Sequence, residues 1–390
     1  MADVTLPVYL DYQATTPLDP RVLDVMMPYL TEKFGNPHSA EHKFGWEADA
    51  GVALARKQVA DLIGAMPEEI IFTSGATESN NMAIKGFAYA ASPTKNHIVT
   101  AVTEHPCVLE SCRALERSGF HVTYLAVDRD GIISDRDVAA AMTPQTSLVS
   151  LMAVNNEIGV IQNLKKIGQI CANENVIFHV DAAQAVGKIP LDMRELNISL
   201  LSISGHKIYG PKGVGALYIN KDITPKPLAL FDGGGQERGL RSGTLSPALC
   251  AGLGAACHLA GRDMGKDHEH IAALSEKLTS SLTQAGDGLH FNGAQKQRYV
   301  GNLNFYIEGV KGDELVKELR NLALSTGSAC STTKSDPSHV LTAIGLTKKQ
   351  IEGSIRIGIG RMTSLQEIDY AAEEIIRAVT KIKNREHKKL

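Results

Sequence analysis

The sequence predicts an α/β protein of two domains, the first built on a mostly parallel sheet covered by helices. Three observations lead to this prediction. Short apolar runs alternate with amphipathic stretches through the first two thirds of the chain, the pattern expected of βαβ units. The chain has 390 residues, more than the roughly 250–300 residues at which a single core stops growing. From about Gly261 the alternation gives way to a polar helix and isolated strands.

The first domain can be followed element by element. The apolar run 69–73 predicts a strand, and the small residues after it turn the chain into a helical stretch that includes 82–86. Apolar residues at helical spacing predict amphipathic helices over 46–64 and 106–119. Further buried strands are expected in the runs 97–105, 176–181 and 200–204. Parallel strands of this kind deliver their functional side chains at their carboxyl ends.

The second domain is smaller and of a mixed α+β pattern. Strands are expected at 299–306 and 355–359, and the last helix begins at a capping box formed by Ser364 and Glu367. Its apolar stripe consists of Ile368, Ala372, Ile375, Val379 and Ile382. The boundaries that we predict are 17–261 for the large domain, and 1–16 with 262–390 for the small one.

Composition narrows the class of protein. A formal net charge of −3 gives no electrostatic reason to expect nucleic acid as a partner. The six cysteines show no pairing pattern and no Cys-x-x-Cys spacing, which argues against a disulfide framework and a zinc site. The start, Met1–Pro7, lacks a basic-then-apolar signal, and no run approaches the roughly 18 apolar residues that cross a bilayer. We therefore expect a cytoplasmic protein, or one of an organelle matrix if this is a processed eukaryotic form, and no membrane partner.

Lys207 is the first candidate for chemistry. It follows the apolar run 200–204 and precedes a turn containing Gly210 and Pro211. A lysine held at such a junction loses hydration, which lowers the pKa of its amine and makes it a nucleophile. Such lysines form Schiff bases, either with a carbonyl substrate or with pyridoxal phosphate. The alternative is an ordinary solvated lysine in a loop.

Asp181 lies at the end of the predicted strand 176–181. Pyridoxal phosphate accepts electrons only while its ring nitrogen is protonated, and an aspartate usually keeps it so. Gln184 follows at a distance that would bring it over the same ring. The alternative for Asp181 is the cap of the following helix.

Two further strand ends complete an ordered series. At residues 74–77 a strand ends, small residues turn the chain and a helix begins, an arrangement that offers free backbone N–H groups to a phosphate. His105 ends the next strand, where an imidazole would stack on a planar ring and exchange protons near neutral pH. Each signal is weak by itself, whereas their order along the chain indicates a pyridoxal-phosphate site.

With these motifs the sequence resembles the cysteine desulfurases of the IscS/NifS type, which are fold-type I pyridoxal-phosphate enzymes. The resemblance extends from 8–17 to about the last helix. The sequences of the matching segments are most similar to the mitochondrial-type and bacterial IscS branch. It includes the stretches 34–39, 154–159 and 233–244. The fold that it implies has a seven-stranded, mostly parallel sheet in the large domain and a smaller α+β domain. The active site would lie in the cleft between them.

Cys330 is the residue that selects this family. It stands among small polar residues in the loop of about 325–337, which cannot form a core and argues for an exposed thiol. Cys171, Cys250 and Cys257 lie on predicted helices and are expected in the core, whereas Cys107 and Cys112 are expected in core or groove positions.

The resemblance also implies the role of each site residue. Lys207 would hold the cofactor as a Schiff base and move the substrate's α-proton, and His105 would stack on the ring and assist proton transfer. Cys330 would take the sulfur of L-cysteine as a persulfide, leaving L-alanine. Binding of cofactor and substrate would involve Asp181 at the ring nitrogen, Gln184 at the ring hydroxyl, Ala76, Thr77, Ser204 and His206 at the phosphate, Asn156 beside cofactor and substrate, and Arg356 at the substrate carboxylate.

Partners follow from the same resemblance. Thr244 would bind the cofactor of the other subunit, which implies a homodimer. The persulfide sulfur would pass to an iron–sulfur scaffold protein or another acceptor, for cluster assembly or tRNA thiolation, and Cys330 would share a cluster with the scaffold only transiently. No resident metal is expected. IscS-type members usually carry a longer C-terminal tail. The stretch after Cys330 reads Ser-Thr-Thr-Lys, where a sequence of the Thr-Ser-Ala-Ser type is common in the family. The identity of the sulfur acceptor therefore stays open. The alternatives are a selenocysteine lyase or a direct C–S lyase.

Overall fold

A computed structural model describes residues 4–286, 288–326 and 337–387. Cys330 lies outside these ranges. Within them, no helix combines the length and apolar character needed to span a bilayer.

The large sheet has seven strands, as the resemblance implied. Its strands in chain order are β2 (Ile70–Thr73), β3 (His97–Ala101), β4 (His121–Leu125), β5 (Thr146–Met152), β6 (Ile177–Asp181), β7 (Leu200–Ser204) and β8 (Gly215–Ile219), the short β1 (Val8–Tyr9) lying outside the sheet. The spatial order is β2-β8-β7-β6-β5-β3-β4. Neighbours from β7 to β4 pair in parallel, and β8 runs antiparallel to both β7 and β2. The predicted fold class is confirmed.

Both faces of this sheet are covered, since alternate residues of its central strands are buried in two separate core clusters. Val149 and Phe178 belong to one core cluster, whereas Ile98 and Leu148 belong to another. The helices of this part are α1 (Pro20–Thr31), α2 (Lys43–Leu62), α3 (Ala76–Asn81), α4 (Phe87–Ala90), α5 (Pro106–Arg117), α6 (Asp135–Ala141) and α7 (Leu164–Asn173). A π-helical segment, Met82–Gly86, joins α3 to α4, so that the backbone is helical from 76 to 90.

The helix α8 (Pro247–Gln284) connects the two parts of the molecule. Cys250 near its beginning packs in the core of the large sheet, and Leu278 near its end packs in a second apolar cluster. Val8 and Leu10 belong to that second cluster, although they lie at the opposite end of the sequence. The helix continues without interruption through Gly261, where the change of pattern was noted; the domain boundaries themselves stay a prediction.

A four-stranded sheet, in the order β12-β13-β10-β9, forms the centre of the second part. The strands are β9 (Leu289–Phe291), β10 (Asn302–Ile307), β12 (Ser325–Thr326) and β13 (Ser354–Gly358), and β11 (Leu322–Ala323) pairs in parallel with β1. The helices are α9 (Gly312–Glu318), α10 (His339–Ala343), α11 (Lys348–Glu352) and α12 (Leu365–His387).

The helix α12 begins as its sequence predicted. Ser364 N donates to Glu367 Oε2 at 2.7 Å, and Glu367 N donates to Ser364 Oγ at 3.2 Å, so the capping box is present. On its predicted apolar stripe, Ile368 and Ile375 are fully buried against the second cluster. The four cysteines at positions 112, 171, 250 and 257 are buried, as expected.

Candidate active site

A cavity of about 460 Å³ opens at the carboxyl ends of β2, β6 and β7 and beside the loops that follow β3 and β5. The sequence analysis had picked out residues from each of these segments as cofactor-binding candidates. Nine of them line this one cavity: Ala76, Thr77, His105, Asn156, Asp181, Gln184, Ser204, His206 and Lys207. Segments between 76 and 207 therefore converge because parallel strands end at the same edge of a sheet.

Lys207 reaches the cavity from a 3₁₀ turn, Gly205–Lys207, that follows β7. Its Nζ donates to the backbone oxygens of Gln13 at 2.6 Å and Ala14 at 2.7 Å. The same N-terminal segment holds the turn itself, since Thr16 N donates to the carbonyl oxygen of His206 at 2.9 Å. The lysine is thus positioned by both its own turn and the start of the chain.

Asp181 is a buried carboxylate at the wall of the cavity, 5% exposed. Its Oδ2 accepts from Asn80 Nδ2 at 2.7 Å, and its Oδ1 accepts from Ala183 N at 2.9 Å. These two hydrogen bonds fix the orientation of the carboxyl group. Asn80 comes from α3, so the helix that follows β2 orients the acid delivered by β6.

The prediction that a strand ends at His105 is wrong, because β3 ends at Ala101 and His105 is the N-cap of α5. Its ring orientation follows from the capping position. The backbone N–H of Cys107 donates to His105 Nδ1 at 3.2 Å, and Cys107 Sγ lies 3.0 Å from the same nitrogen. A nitrogen that accepts a backbone N–H carries no proton, so the neutral ring has its proton on Nε2. Burial, as the largest cause, lowers the pKa of His105, and the positive charge of Lys207 also lowers it, against the opposing effect of Asp181. The ring is therefore neutral and holds a donor at Nε2.

Cys107 lies in the wall of the cavity, which agrees with the groove position considered for it. Burial raises the pKa of its thiol to about 12, so the sulfur keeps its proton. Asn80 Nδ2 lies 3.1 Å from the sulfur as well as 2.7 Å from Asp181. Asn80 and Cys107 thus join the acid to the histidine in one hydrogen-bonded group.

A turn at Gly75 leads into the helical segment 76–90. Gly75 has φ 147° and ψ −178°, a conformation that residues with a side chain rarely adopt, and no side chain caps the helix that it precedes. Glu78 binds the turn through Ser74 N at 2.7 Å and is held by Arg241 Nε at 2.9 Å. The helix start is accordingly ordered and offers backbone N–H groups to an anion in the cavity.

His206 and Ser204 line the same cavity at the end of β7. Burial, the largest cause, and the nearby lysines lower the pKa of His206 to about 4, so its ring is neutral. Its Nδ1 lies 3.0 Å from Thr15 Oγ1. Lys212, exposed at the rim, brings a positive charge to the same cavity. An anionic group would meet neutral donors at this wall and one ammonium group at the edge.

Arg356 lies on β13 and touches the cavity wall through Asn156. Its Nη1 donates to the backbone oxygen of Asn156 at 3.0 Å, and its Nη2 pairs with Asp11 Oδ1 at 2.8 Å. Arg356 is 2% exposed, and its Nε–H is without a hydrogen-bond partner among the described residues. A buried guanidinium group with a donor to spare is suited to a carboxylate.

Ser325 and Ser338, described residues on either side of 327–336, both make hydrogen bonds near this site. Ser325 Oγ donates to Asp11 Oδ2 at 2.8 Å, the carboxylate that pairs with Arg356. On the other side, Ser338 Oγ donates to Glu157 Oε2 at 2.5 Å. Ser325 and Ser338 therefore contact the neighbours of Arg356 and Asn156, namely Asp11 and Glu157.

Thr244 is exposed in the loop before α8 and is not among the residues that line the cavity. Sequence reasoning had assigned it to the cofactor of another subunit. It missed Gln13, Asn80 and Lys212, all in the lining or hydrogen-bonded to it. Asn80 and Lys212 stood inside segments already selected, but no local pattern distinguishes a residue that supports another side chain. Gln13 is brought in by tertiary packing alone.

Comparison with protein families agrees with the site. A model of the aminotransferase class-V family matches residues 8–371, and the chain belongs to this family. Within it, the relatives are cysteine desulfurases. A "Cysteine desulfurase" of Mus musculus is 54% identical over 380 residues, which covers 97% of this chain and 83% of that protein. A "Cysteine desulfurase IscS" of Rickettsia akari is 53% identical over 381 residues, covering 98% and 93%.

Solved structures give the same answer. A "NIFS-LIKE PROTEIN" superposes with a TM-score of 0.89 at 36% identity, covering 96% of this chain and 99% of that one. "SspA in complex with cysteine" superposes with a TM-score of 0.81 at 39% identity, covering 92% and 100%. The predicted resemblance to the IscS/NifS type is confirmed.

Proposed function

We propose that this protein is a pyridoxal-phosphate-dependent cysteine desulfurase, which takes sulfur from L-cysteine and forms L-alanine and a persulfide on Cys330. One observation carries the proposal: a buried carboxylate, a lysine amine and an uncapped helix start face one cavity of about 460 Å³. The identity of more than half the residues to named cysteine desulfurases supports the substrate and the reaction.

The residues of the cavity fit the cofactor. Asp181 is buried and oriented by two hydrogen bonds, and it would be the partner of the protonated ring nitrogen. Ala76, Thr77, Ser204 and His206 would hold the phosphate. Gln184 would bind the ring hydroxyl, and His105 would lie over the ring. When bound, pyridoxal phosphate supplies a carbonyl for Schiff-base formation and a ring that accepts electrons.

The chain's own groups would carry the remaining chemistry. Arg356 would bind the carboxylate of L-cysteine through the Nε–H that has no partner among the described residues, and Asn156 would lie beside it. Lys207 would move the α-proton, and the Nε2–H of His105 would serve as a proton donor on the opposite side. In sulfur transfer the C–S bond of the substrate breaks as an S–S bond forms to Cys330. The products are L-alanine and the persulfide, so no outside oxidant is required.

Dimer formation is part of the proposal. Because Thr244 is exposed and lies outside the cavity lining of its own chain, it would reach a cofactor only in a second subunit. Large apolar side chains are exposed on α1, on α2 and between them, and such a patch favours a protein interface. They are Leu23, Val25, Met27, Leu30, Phe34, Phe44, Trp46 and Leu54. The sulfur acceptor, an iron–sulfur scaffold protein or another protein, and a cytoplasmic or matrix location stay predictions.

The test is alanine formation from L-cysteine by the purified protein with pyridoxal phosphate and a thiol reductant, alongside Cys330→Ser. Alanine from the wild type and none from the variant is the expected result. Pyruvate and sulfide from both proteins would instead identify a direct C–S lyase. Alanine from selenocysteine but not from cysteine would identify a selenocysteine lyase.

A further inference from the structure

Lys188 is a basic group beside the candidate site to which the proposed reaction gives no role. It follows β6 in the turn after Asp181, and its side chain is half-buried. Its Nζ lies 5.3 Å from the centre of the Tyr299 ring, over its face. Burial, the largest cause, and the positive charges of Lys207 and Arg356 lower its pKa to about 7. A charged group kept in such surroundings calls for an explanation.

The contact of Lys188 with Gln184 provides one. Lys188 Nζ lies 2.9 Å from Gln184 Oε1. The protonated amine only donates, so in that form the atom that it meets is the amide oxygen. At the other end, Gln184 Nε2 donates to the backbone oxygen of Gln13 at 2.9 Å, and a carbonyl oxygen only accepts. Both contacts require the same orientation of the amide, which removes the usual ambiguity between its oxygen and nitrogen.

This orientation determines what Gln184 offers to the cavity that it lines. Its oxygen is occupied by Lys188, and its nitrogen has two hydrogens, of which Gln13 takes one. The second N–H is the remaining donor of a side chain that is 6% exposed. The residue can therefore bind an oxygen acceptor on a ligand, and it has no free acceptor for a hydroxyl donor.

We propose that Lys188 is a positioning residue, which holds the Gln184 amide so that its N–H faces the ring oxygen of the bound cofactor. The inference rests on the proposed function for the identity of that cofactor. It predicts that the site selects a ring with an electron-rich oxygen, as in the phenolate form of pyridoxal phosphate. Without Lys188 only the hydrogen bond to Gln13 O holds the amide, and the selection is weakened.

The test measures cofactor affinity rather than turnover. Apo protein is titrated with pyridoxal phosphate and with its 3-deoxy analogue, which lacks the ring oxygen, for the wild type and Lys188→Met. We expect the variant to bind pyridoxal phosphate about five- to tenfold more weakly, the value of about one hydrogen bond, and to bind the analogue as the wild type does. Lys188→Arg, which keeps a donor, should recover part of the loss. The exposed Lys166→Met is the control and should change neither affinity.

Two results would overturn the proposal. Equal weakening of both ligands by Lys188→Met would mean that the lysine only maintains the fold of the site. A loss in the Lys188→Met/Gln184→Leu double variant equal to the sum of the single losses would mean that the two residues act independently. These outcomes are separate from the alanine assay, because affinity is measured without L-cysteine.

Discussion

The ion pair between Asp19 and Arg361 allows a stability prediction that separates two roles of one carboxylate. Asp19 precedes α1 and Arg361 follows β13, so the pair joins segments at opposite ends of the chain. The two side chains are 3% and 7% exposed, at a distance of 2.5 Å. Asp19 Oδ1 also accepts from Arg21 N at 2.9 Å and caps α1. Loss of the charge and loss of the cap can be tested independently.

Asp19→Asn keeps a side-chain oxygen for the cap and removes the charge. Breaking a buried pair by removing one partner costs about 3–5 kcal/mol. Here the cost should lie near about 3 kcal/mol, because Asp267 lies 3.6 Å from the same guanidinium group and compensates in part. Asp19→Ala removes the cap as well, which should cost about 1 kcal/mol more. Asp24→Asn, on the exposed side of α1, is the matched control and should stay within about 0.5 kcal/mol of the wild type.

The assay is urea unfolding followed by circular dichroism at pH 7 and at lower pH. The hydrogen bond from Arg21, with the charge of Arg361, lowers the pKa of Asp19 below its usual 3.8. A lowered pKa means that the carboxylate stabilises the folded protein above about pH 4, and that this contribution disappears as pH falls through the folded-state pKa. The gap between wild type and Asp19→Asn should thus narrow below pH 4. A variant as stable as Asp24→Asn at pH 7 would refute the reasoning.

Three further predictions concern the site and its surroundings. Lys207→Ala should lose the visible absorbance of the bound cofactor while the exposed Lys221→Ala keeps it, and a retained band would assign the Schiff base to another lysine. Burial raises the pKa of Glu157 from 4.5 to about 7, so its ionisation costs folding energy as pH rises through that window; Glu157→Gln should gain urea resistance relative to wild type between pH 5 and 8, and a constant difference would contradict this. Gly75→Ala should lower the free energy of unfolding by about 1–3 kcal/mol. The cause is backbone strain alone, since a Cβ at this position would meet no atom within 4 Å. Unchanged stability and cofactor affinity would show that the turn adapts.

Much of the fold was predictable because its signals are local. The buried strands alternate with amphipathic helices, and the capping box of Ser364 and Glu367 fixed the start of the last helix to the residue. The helix predicted at 106–119 is α5, Pro106–Arg117. The strand predicted at 299–306 forms later, at Asn302–Ile307, because Tyr299 N bonds to Gly159 O outside the sheet and Asn302 N closes a turn onto Tyr299 O.

The residues that line the candidate site were more predictable from sequence than the residues that orient them. Lys207, Asp181 and His105 are at the carboxyl ends of strands or just beyond them, which is where ligands of open α/β sheets bind. Asn80 supports Asp181 from within a helix, and nothing in the sequence around it indicates that contact. Side chains that orient other side chains act through distances between separate elements, which a one-dimensional pattern does not contain.

The start of the chain shows why such contacts affect the whole molecule. In addition to the contacts that Ala14 O and Thr16 N make with the lysine turn, Thr16 Oγ1 accepts from Tyr209 N at 2.8 Å and Asp19 N donates to Tyr209 O at 3.0 Å, while Gln13 O accepts from Lys207. The same short segment reaches the second sheet, since Gln13 Nε2 donates to Gly301 O at 2.8 Å. Contacts that close loops of almost two hundred residues form only when both parts are folded. The segment that holds Lys207 is therefore itself tied to the second part of the molecule, and a fragment ending before Gly301 would keep the strand ends of the cavity while losing the hydrogen-bond partner of the Gln13 side chain.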